Sequence, residues 1–224
     1  MNRIGTGRES SLHRALKYRY AGPGGRIEAE TAGFVADGIR EDGEFIEVQL
    51  GSFGPLRQKA KELAGLGRLR IVHPVIVNKY LEVFDNEGNR LYRRKSPRRG
   101  NPWDLFKALI HAPELPLIAG VSIELAIVDV TENRIQDGKG SWRRKGASIV
   151  NRTLAAWHEH ILLESPKDYR RFIPYQKGEE FTVSLLAKKA GISANLAGKT
   201  LYVLNKLKVV KRIGKRRNAF VYCL

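Results

Sequence analysis

Cysteine, long apolar runs and, towards the end of the chain, acidic side chains are all scarce. Cys223 is the single cysteine in 224 residues, which excludes an internal disulfide and a zinc site built from several cysteines. The longest apolar stretch, residues 115–130, is interrupted by Glu124 and Asp129 and is too short to cross a bilayer. Residues 1–8 lack the apolar core of a secretory signal. These absences predict a cytoplasmic protein without a membrane segment.

Positive charge is abundant and unevenly distributed. The chain has 40 Lys and Arg against 23 Asp and Glu, a formal net charge of +17. Residues 181–224 contain ten Lys and Arg and no acidic residue. Such a surface favours a polyanionic partner. We expect DNA rather than RNA, because nothing in the sequence resembles an aromatic platform for stacking single-stranded bases.

The length and composition predict a folded α/β protein of two domains. Hydrophobic residues make up 42% of the chain and charged residues 28%, a balance typical of globular proteins. A chain of this length can form one ordinary domain and a smaller one. Residues 166–178 contain two prolines and clustered charge, which predicts a linker between a domain at 1–170 and another at 171–224.

Apolar spacing in the first third predicts the element order αβββαβ. Leu12 and Leu16 lie on one face of a helix ending near Tyr20, and Thr6 and Glu9 have the spacing of a capping box. Pro55 suits the first turn of a second helix. The strands are expected at residues 26–31, 34–40 and 44–50, with a fourth after the second helix at 69–77, interrupted by Pro74.

Apolar spacing predicts further strands and helices in the later part of the chain. Residues 81–84 and 90–92 suggest a hairpin, 103–110 a helix, 121–130 a buried strand and 148–163 a helix. Near the end, Thr182 and Ser193 can each cap a helix, and Gly191 supplies the turn between them. Strands at 209–213 and 219–222 would follow, joined by a basic loop. Two helices followed by a basic hairpin predict a small winged helix-turn-helix domain.

The residues with the clearest chemical meaning are Asp37, on the second predicted strand, and Glu47 and Gln49 on the third. Alternation along a strand places Glu47 and Gln49 on one face and Val48 in the core. Two carboxylates on neighbouring strands can hold a hard divalent cation, which phosphodiester hydrolysis needs. The alternative is a pair of ordinary surface carboxylates. The apolar residues around both acids favour a functional role, because burying an acid without a purpose is costly.

This pattern resembles the PD-(D/E)XK superfamily of nucleases, whose restriction-endonuclease-like core has the same αβββαβ order around a mixed central sheet. The resemblance covers roughly the first third of the chain. It implies Asp37 and Glu47 as catalytic ligands of Mg²⁺ or Mn²⁺, Gln49 in the place that usually holds lysine, and Glu9 as an additional metal ligand. Glu9 has an equally plain alternative as a helix-capping residue. Many nucleases of this type also pair up, so a homodimer is possible.

Basic residues outside this pattern predict contacts with the DNA backbone. Two cationic runs lie in predicted loops, and the second is next to the aromatic Trp142. In the winged-helix region Asn195 is the obvious reader of a base edge. The alternatives are solvated loops and a winged helix that binds protein. The expected DNA contacts are Arg93, Arg94, Lys95, Arg98, Arg99, Arg143, Arg144, Lys145, Asn195, Lys199, Lys215, Arg216 and Arg217.

The sequence thus predicts a divalent-metal-dependent DNA endonuclease whose winged helix binds duplex DNA. The replacement of lysine by Gln49 motivates a second hypothesis, a non-catalytic DNA-binding protein or regulator that uses a nuclease-like scaffold.

Overall fold

The structure, a computed structural model, describes residues 9–31 and 33–224. It is a mixed α/β protein built around a seven-stranded sheet with the order β1-β2-β3-β4-β6-β7, in which β5 also pairs with β4. The strands of this sheet are β1 (Arg26–Thr31), β2 (Phe34–Ile39), β3 (Phe45–Val48), β4 (Leu69–Phe84), β5 (Arg90–Lys95), β6 (Val121–Ile135) and β7 (Ser148–Leu163). The helices in the same part of the chain are α1 (Ser11–Ala21), α2 (Arg57–Leu66) and α3 (Leu105–Leu109).

The predicted order αβββαβ is present in α1 to β4. Strands β1, β2 and β3 form an antiparallel meander, and β3 runs parallel to β4. The predicted start of α1 is wrong. Ser10 caps this helix, its side chain accepting a hydrogen bond from the backbone of His13 at 3.2 Å. Glu9 therefore precedes the cap instead of occupying the third helical position, and Thr6 lies outside the described residues.

The two faces of the sheet carry different helices. Leu12 and Leu16 of α1 pack in one apolar cluster with Ile46 and Val48 of β3. Leu63 of α2 packs in the other cluster, together with β3 residue Phe45 and with α3. Since neighbouring residues of a strand point to opposite faces, α1 and α2 lie on opposite sides of the sheet.

Strand β4 is a single strand of 16 residues, so the predicted interruption at Pro74 is wrong. One edge of β4 pairs with β6 along its whole length. The other edge pairs with β3 as far as Val72 and with β5 only from Tyr80 onwards. The carbonyls of Val72 and Ile76 both face this second edge, and so does the nitrogen of Pro74 between them. Its missing N–H thus costs no ladder hydrogen bond.

Residues 148–163 form strand β7 and not the predicted helix. Strand β7 is antiparallel to β6 over its full length, with register shifts that leave extra residues at Val150, Ala155 and His158. The shift at Ala155 brings Leu154 and Trp157, three residues apart, against the same apolar cluster. Apolar residues three apart in sequence are typical of a helix face, but the pairing with β6 makes this segment a strand.

The C-terminal part forms two helices and a hairpin. Helices α4 (Val183–Ala190) and α5 (Ala194–Lys206) are capped by Thr182 and Ser193, and Gly191 ends α4 in a left-handed conformation. Strands β8 (Lys211–Arg216) and β9 (Ala219–Cys223) are antiparallel. The predicted linker is packed: residues 166–172 form a 3₁₀ helix whose Tyr169 and Phe172 are buried. Among the described helices, none is long and apolar enough to span a membrane.

Candidate functional site

Asp37 and Glu47 meet at the point where the β2–β3 ladder ends. The last paired residues are Gly38 and Ile46, and the two acids are the next residues along their strands. The backbone N–H of Val48 donates to Asp37 Oδ2 at 2.8 Å, and the backbone N–H of Asp37 donates to Glu47 Oε1 at 3.1 Å. Each carboxylate thus accepts a hydrogen bond from a backbone N–H of the opposite strand. The predicted closeness of the two acids is present in the structure.

Helix α1 supplies two cations to Asp37. His13 Nε2 lies 3.4 Å from Asp37 Oδ2, and Lys17 Nζ lies 3.6 Å from Asp37 Oδ1. His13 also contacts the Val48 carbonyl at 2.9 Å through Nε2 and the Glu9 carboxylate at 2.6 Å through Nδ1. Both partners can only accept, so both ring nitrogens of His13 donate and the ring is an imidazolium.

The pKa values around Asp37 agree with this assignment. Burial opposes the charged form of His13, but hydrogen bonds to Asp37 and Glu9 outweigh it and raise its pKa to about 9. For Asp37 burial likewise opposes ionisation, while the hydrogen bonds from His13 and from the Val48 backbone lower its pKa. The pair is therefore charged at neutral pH.

Glu47 receives its cation from α2, on the other side of the sheet. Lys59 Nζ lies 2.5 Å from Glu47 Oε1 and donates to the Val35 carbonyl at 2.7 Å. The Glu47 side chain is only 5% exposed. Burial and the nearby charge of Asp37 raise the pKa of Glu47, and Lys59 opposes that rise. An additional cation would relieve the repulsion between the two acids.

Glu9 and Gln49 lie at the margins of this cluster. Glu9 contacts His13 and Lys17, the same two cations that serve Asp37, with its carboxylate 2.8 Å from Lys17 Nζ. Gln49 donates its amide to the Ser52 carbonyl at 2.5 Å. Its side chain is thereby bonded to the loop after β3. Val48 is 3% exposed and faces the core, as predicted.

Sequence reasoning missed the three cations His13, Lys17 and Lys59. A signal for the first two was present, since Glu9, His13 and Lys17 recur every four residues and so share one face of a helix. No comparable signal marked Lys59, because its contact with Glu47 depends on how α2 packs against β3.

The first basic run is placed differently from the prediction. Arg93, Arg94 and Lys95 belong to strand β5, whose residues are all exposed, and not to a loop. Arg98 and Arg99 do lie in a loop, and both are exposed. That loop follows the second edge of β4, with Ser96 N–H donating to the Lys79 carbonyl and Gly100 N–H to the Ile76 carbonyl. The run therefore continues along β4 beyond the end of β3.

The other predicted DNA contacts lie near the ends of hairpins or on α5. Arg143 and Arg144 form a short 3₁₀ turn with Trp142, which is 82% exposed, and Lys145 ends that turn. Asn195 is exposed on α5, while Lys199 is partly buried. On the C-terminal hairpin Lys215, Arg216 and Arg217 are all exposed. Phe220 lies beneath two cations of this hairpin, with Lys215 Nζ 4.9 Å from its ring centre.

A divalent cation fits the acidic pair by donor type. Among residues 9–31 and 33–224, no group of three or more His, Cys, Asp and Glu side chains is arranged around a common ion. Mg²⁺, however, is usually held by one or two carboxylates and completed by water and substrate phosphates. Asp37 and Glu47 provide such a pair of carboxylates, next to each other across the β2–β3 hairpin.

Fold and site together define a mixed α/β protein with an acidic pair at the end of a strand ladder, in which Glu47 is buried and Asp37 is partly buried. The family described as "Domain of unknown function (DUF8091)" matches residues 10–164, more than half of the chain, and the chain belongs to this family. An uncharacterized protein of Treponema pallidum (strain Nichols) is 31% identical over 151 residues, covering 67% of this chain and 60% of that protein. The chain thus spans less than two thirds of that relative's length. No solved structure matches the chain.

Proposed function

We propose that the protein is a divalent-metal-dependent DNA endonuclease. The proposal rests on the convergence of Asp37 and Glu47 at one strand junction, where each carboxylate accepts a backbone N–H from the other's strand. Asp37 and Glu47 would hold Mg²⁺ or Mn²⁺, with Glu9 as a further carboxylate nearby. The ion would activate water and neutralise charge on the phosphate.

The chain's own residues support this proposal in two ways. His13 and Lys17 hold Asp37 ionised, as a metal ligand must be. The basic β5 strand, the Arg98–Arg99 loop and the C-terminal hairpin offer cations to a DNA backbone. The C-terminal helices and hairpin have the element order of a winged helix, which would deliver duplex DNA with α5 towards the major groove.

Cleavage assays with matched carboxylate variants test the enzyme. Linear, supercoiled, single-stranded and branched DNA are incubated with the full chain and Mg²⁺ or Mn²⁺. We expect Asp37→Asn and Glu47→Gln to abolish cleavage while leaving DNA affinity unchanged. Asp42→Asn is the control, because Asp42 lies in the exposed turn between β2 and β3 and pairs with Arg68. If the wild-type protein cuts none of these substrates, the enzyme proposal fails.

A second candidate is a non-catalytic DNA-binding protein. The observation that favours it is that Lys59, His13 and Lys17 already neutralise the two acids. Calorimetric titration with Mg²⁺ or Mn²⁺ separates the candidates. If the wild-type protein shows a saturable heat of metal binding that disappears in Asp37→Asn, the result supports the enzyme. If the wild-type protein shows no saturable heat of metal binding, the result supports the scaffold.

A further inference from the structure

A basic cavity lies on the second edge of β4, just beyond the acidic pair. It has a volume of about 410 Å³, within the range of roughly 300–1,000 Å³ that is usual for ligand sites. Its floor is the stretch of β4 from His73 to Ile76, where neither β3 nor β5 pairs. Leu50, the third residue after Glu47, lines it, so the cavity lies near the end of β3 that carries Glu47.

Cations from three separate elements converge on this cavity. They are Lys79 of β4, Arg98 and Arg99 of the loop after β5, and Lys107 of α3, against a single lining carboxylate, Asp104. Lys107 pairs with Asp104, and Lys79 Nζ lies 3.4 Å from Glu132. Within the described part of the chain, neither Arg98 nor Arg99 has a side-chain hydrogen bond or ion pair. Two guanidinium groups therefore remain available to an anion.

The backbone fixes these arginines beside the cavity. Gly100 N–H donates to the Ile76 carbonyl at 2.8 Å, so the loop is bonded to the floor of the cavity. A Cβ at position 100 would lie 2.6 Å from the same carbonyl oxygen, so a side chain there would push the loop away. Gly51, on the opposite rim, has open space where a Cβ would stand, and a ligand can approach its backbone closely.

We propose that this cavity binds a phosphate group of a nucleic-acid strand. Guanidinium groups suit phosphate because their planar donors match two of its oxygens at once. The hydroxyl of Ser52 lines the other rim beside Gly51; it accepts from the Gly54 N–H and keeps its own proton to donate. A strand held here would run along the end of β3 towards Asp37 and Glu47. The identification of the ligand as nucleic acid rests on the proposed function, whereas phosphate binding does not.

Amide chemical shifts test the site without DNA or metal. Inorganic phosphate is titrated into the ¹⁵N-labelled full chain, and we expect saturable shifts of the Gly51, Ser52 and Gly100 amides. In Arg98→Gln/Arg99→Gln the binding should be at least about tenfold weaker, because two charge-assisted hydrogen bonds are removed. The control, Lys61→Gln/Lys177→Gln, removes the same charge at two exposed positions and should bind as the wild type does. Equal responses in the two variants, or no saturable shift, would overturn the proposal.

Short DNA duplexes identify the source of the phosphate. A preference for a 5′-phosphorylated end over a 5′-hydroxyl end, lost in Arg98→Gln/Arg99→Gln, assigns a terminal phosphate. Equal affinity for both ends, weakened in that variant only, assigns an internal phosphodiester. Equal weakening in the Lys61→Gln/Lys177→Gln control means a diffuse charge effect and contradicts the site.

The two proposals can fail independently. Asp37→Asn should leave the phosphate-induced shifts intact. Intact shifts in a protein that cleaves no DNA would leave the phosphate site standing and remove the enzyme. Cleavage without phosphate-induced shifts would leave the enzyme proposal standing and remove the phosphate site.

Discussion

The ammonium group of Lys59 lies 2.5 Å from the Glu47 carboxylate and reaches it from the face of the sheet opposite to α1. Asp37, its neighbour across the hairpin, is neutralised from α1 by His13 and Lys17. The two acids therefore belong to one junction, but their countercharges come from different helices on different faces. Each acid can be perturbed separately through its own cation.

Removing Lys59 should destabilise the protein. Lys59→Gln leaves a carboxylate that is 5% exposed without its cation, and we expect a loss of about 2–4 kcal/mol in the free energy of unfolding. Lys61→Gln, exposed on the same helix, should change it by less than about 0.5 kcal/mol. Urea unfolding at pH 7 in EDTA measures both. If the acids hold an ion, Mg²⁺ or Mn²⁺ should restore part of the loss, and equal stability of the two variants would contradict the role of Lys59.

The protonation of His13 should make stability depend on pH. Its pKa is raised from 6.5 to about 9, so its contribution is fully present below pH 6.5 and is lost as the pH rises through 9. The shift corresponds to at most about 3 kcal/mol. Unfolding of wild type and His13→Gln in EDTA across this range should show a difference that shrinks with rising pH. A difference that is constant with pH, or equal to that of the exposed control His160→Gln, would refute this.

A buried charge network under α1 should be sensitive to the loss of Arg70. Its guanidinium lies 2.6 Å from Glu124 and 3.0 Å from Glu44, both nearly fully buried. Arg70→Met would leave both acids without this cation, and we expect a loss of about 3–5 kcal/mol. Arg68→Met is the control, since Arg68 is 62% exposed and its ion pair is worth about 1 kcal/mol at most. Thermal and urea unfolding should rank the two variants in this order.

The C-terminal hairpin should contribute to salt-dependent DNA binding. Lys215 and Arg217 are exposed near its tip, and each phosphate contact contributes about 0.9 to the slope of log K against log salt concentration. Lys215→Gln/Arg217→Gln should therefore lower that slope by about 1.8. Fluorescence anisotropy with a labelled duplex at several salt concentrations measures it. A slope unchanged from wild type would place the hairpin outside the DNA contact.

Local patterns in the sequence were sufficient for the hairpin that brings Asp37 and Glu47 together. Strand alternation and the turn between β2 and β3 are short-range properties, and they also placed Val48 in the core. The caps at Thr182 and Ser193 were predicted for the same reason. The partners of the acids were not predicted, because Lys59 meets Glu47 only through packing across the sheet.

Strand β7 shows where local patterns fail. Its limits were predicted correctly as residues 148–163, but its type was wrong. The extra residue at Ala155 shifts the register with β6, so the apolar side chains Leu154 and Trp157 reach one face at a spacing that favours a helix. The pairing partner, which is distant in sequence, decides the conformation.

The proline within β4 also bears on how copies of this protein meet one another. An unpaired stretch of strand edge is ordinarily a template on which a second chain can add a strand. At Pro74 that strand edge lacks a backbone N–H donor. Two residues further on, the Ile76 carbonyl already accepts a hydrogen bond from the Gly100 N–H. The opening is thereby protected against self-association through main-chain pairing, while it stays accessible to a small anionic group.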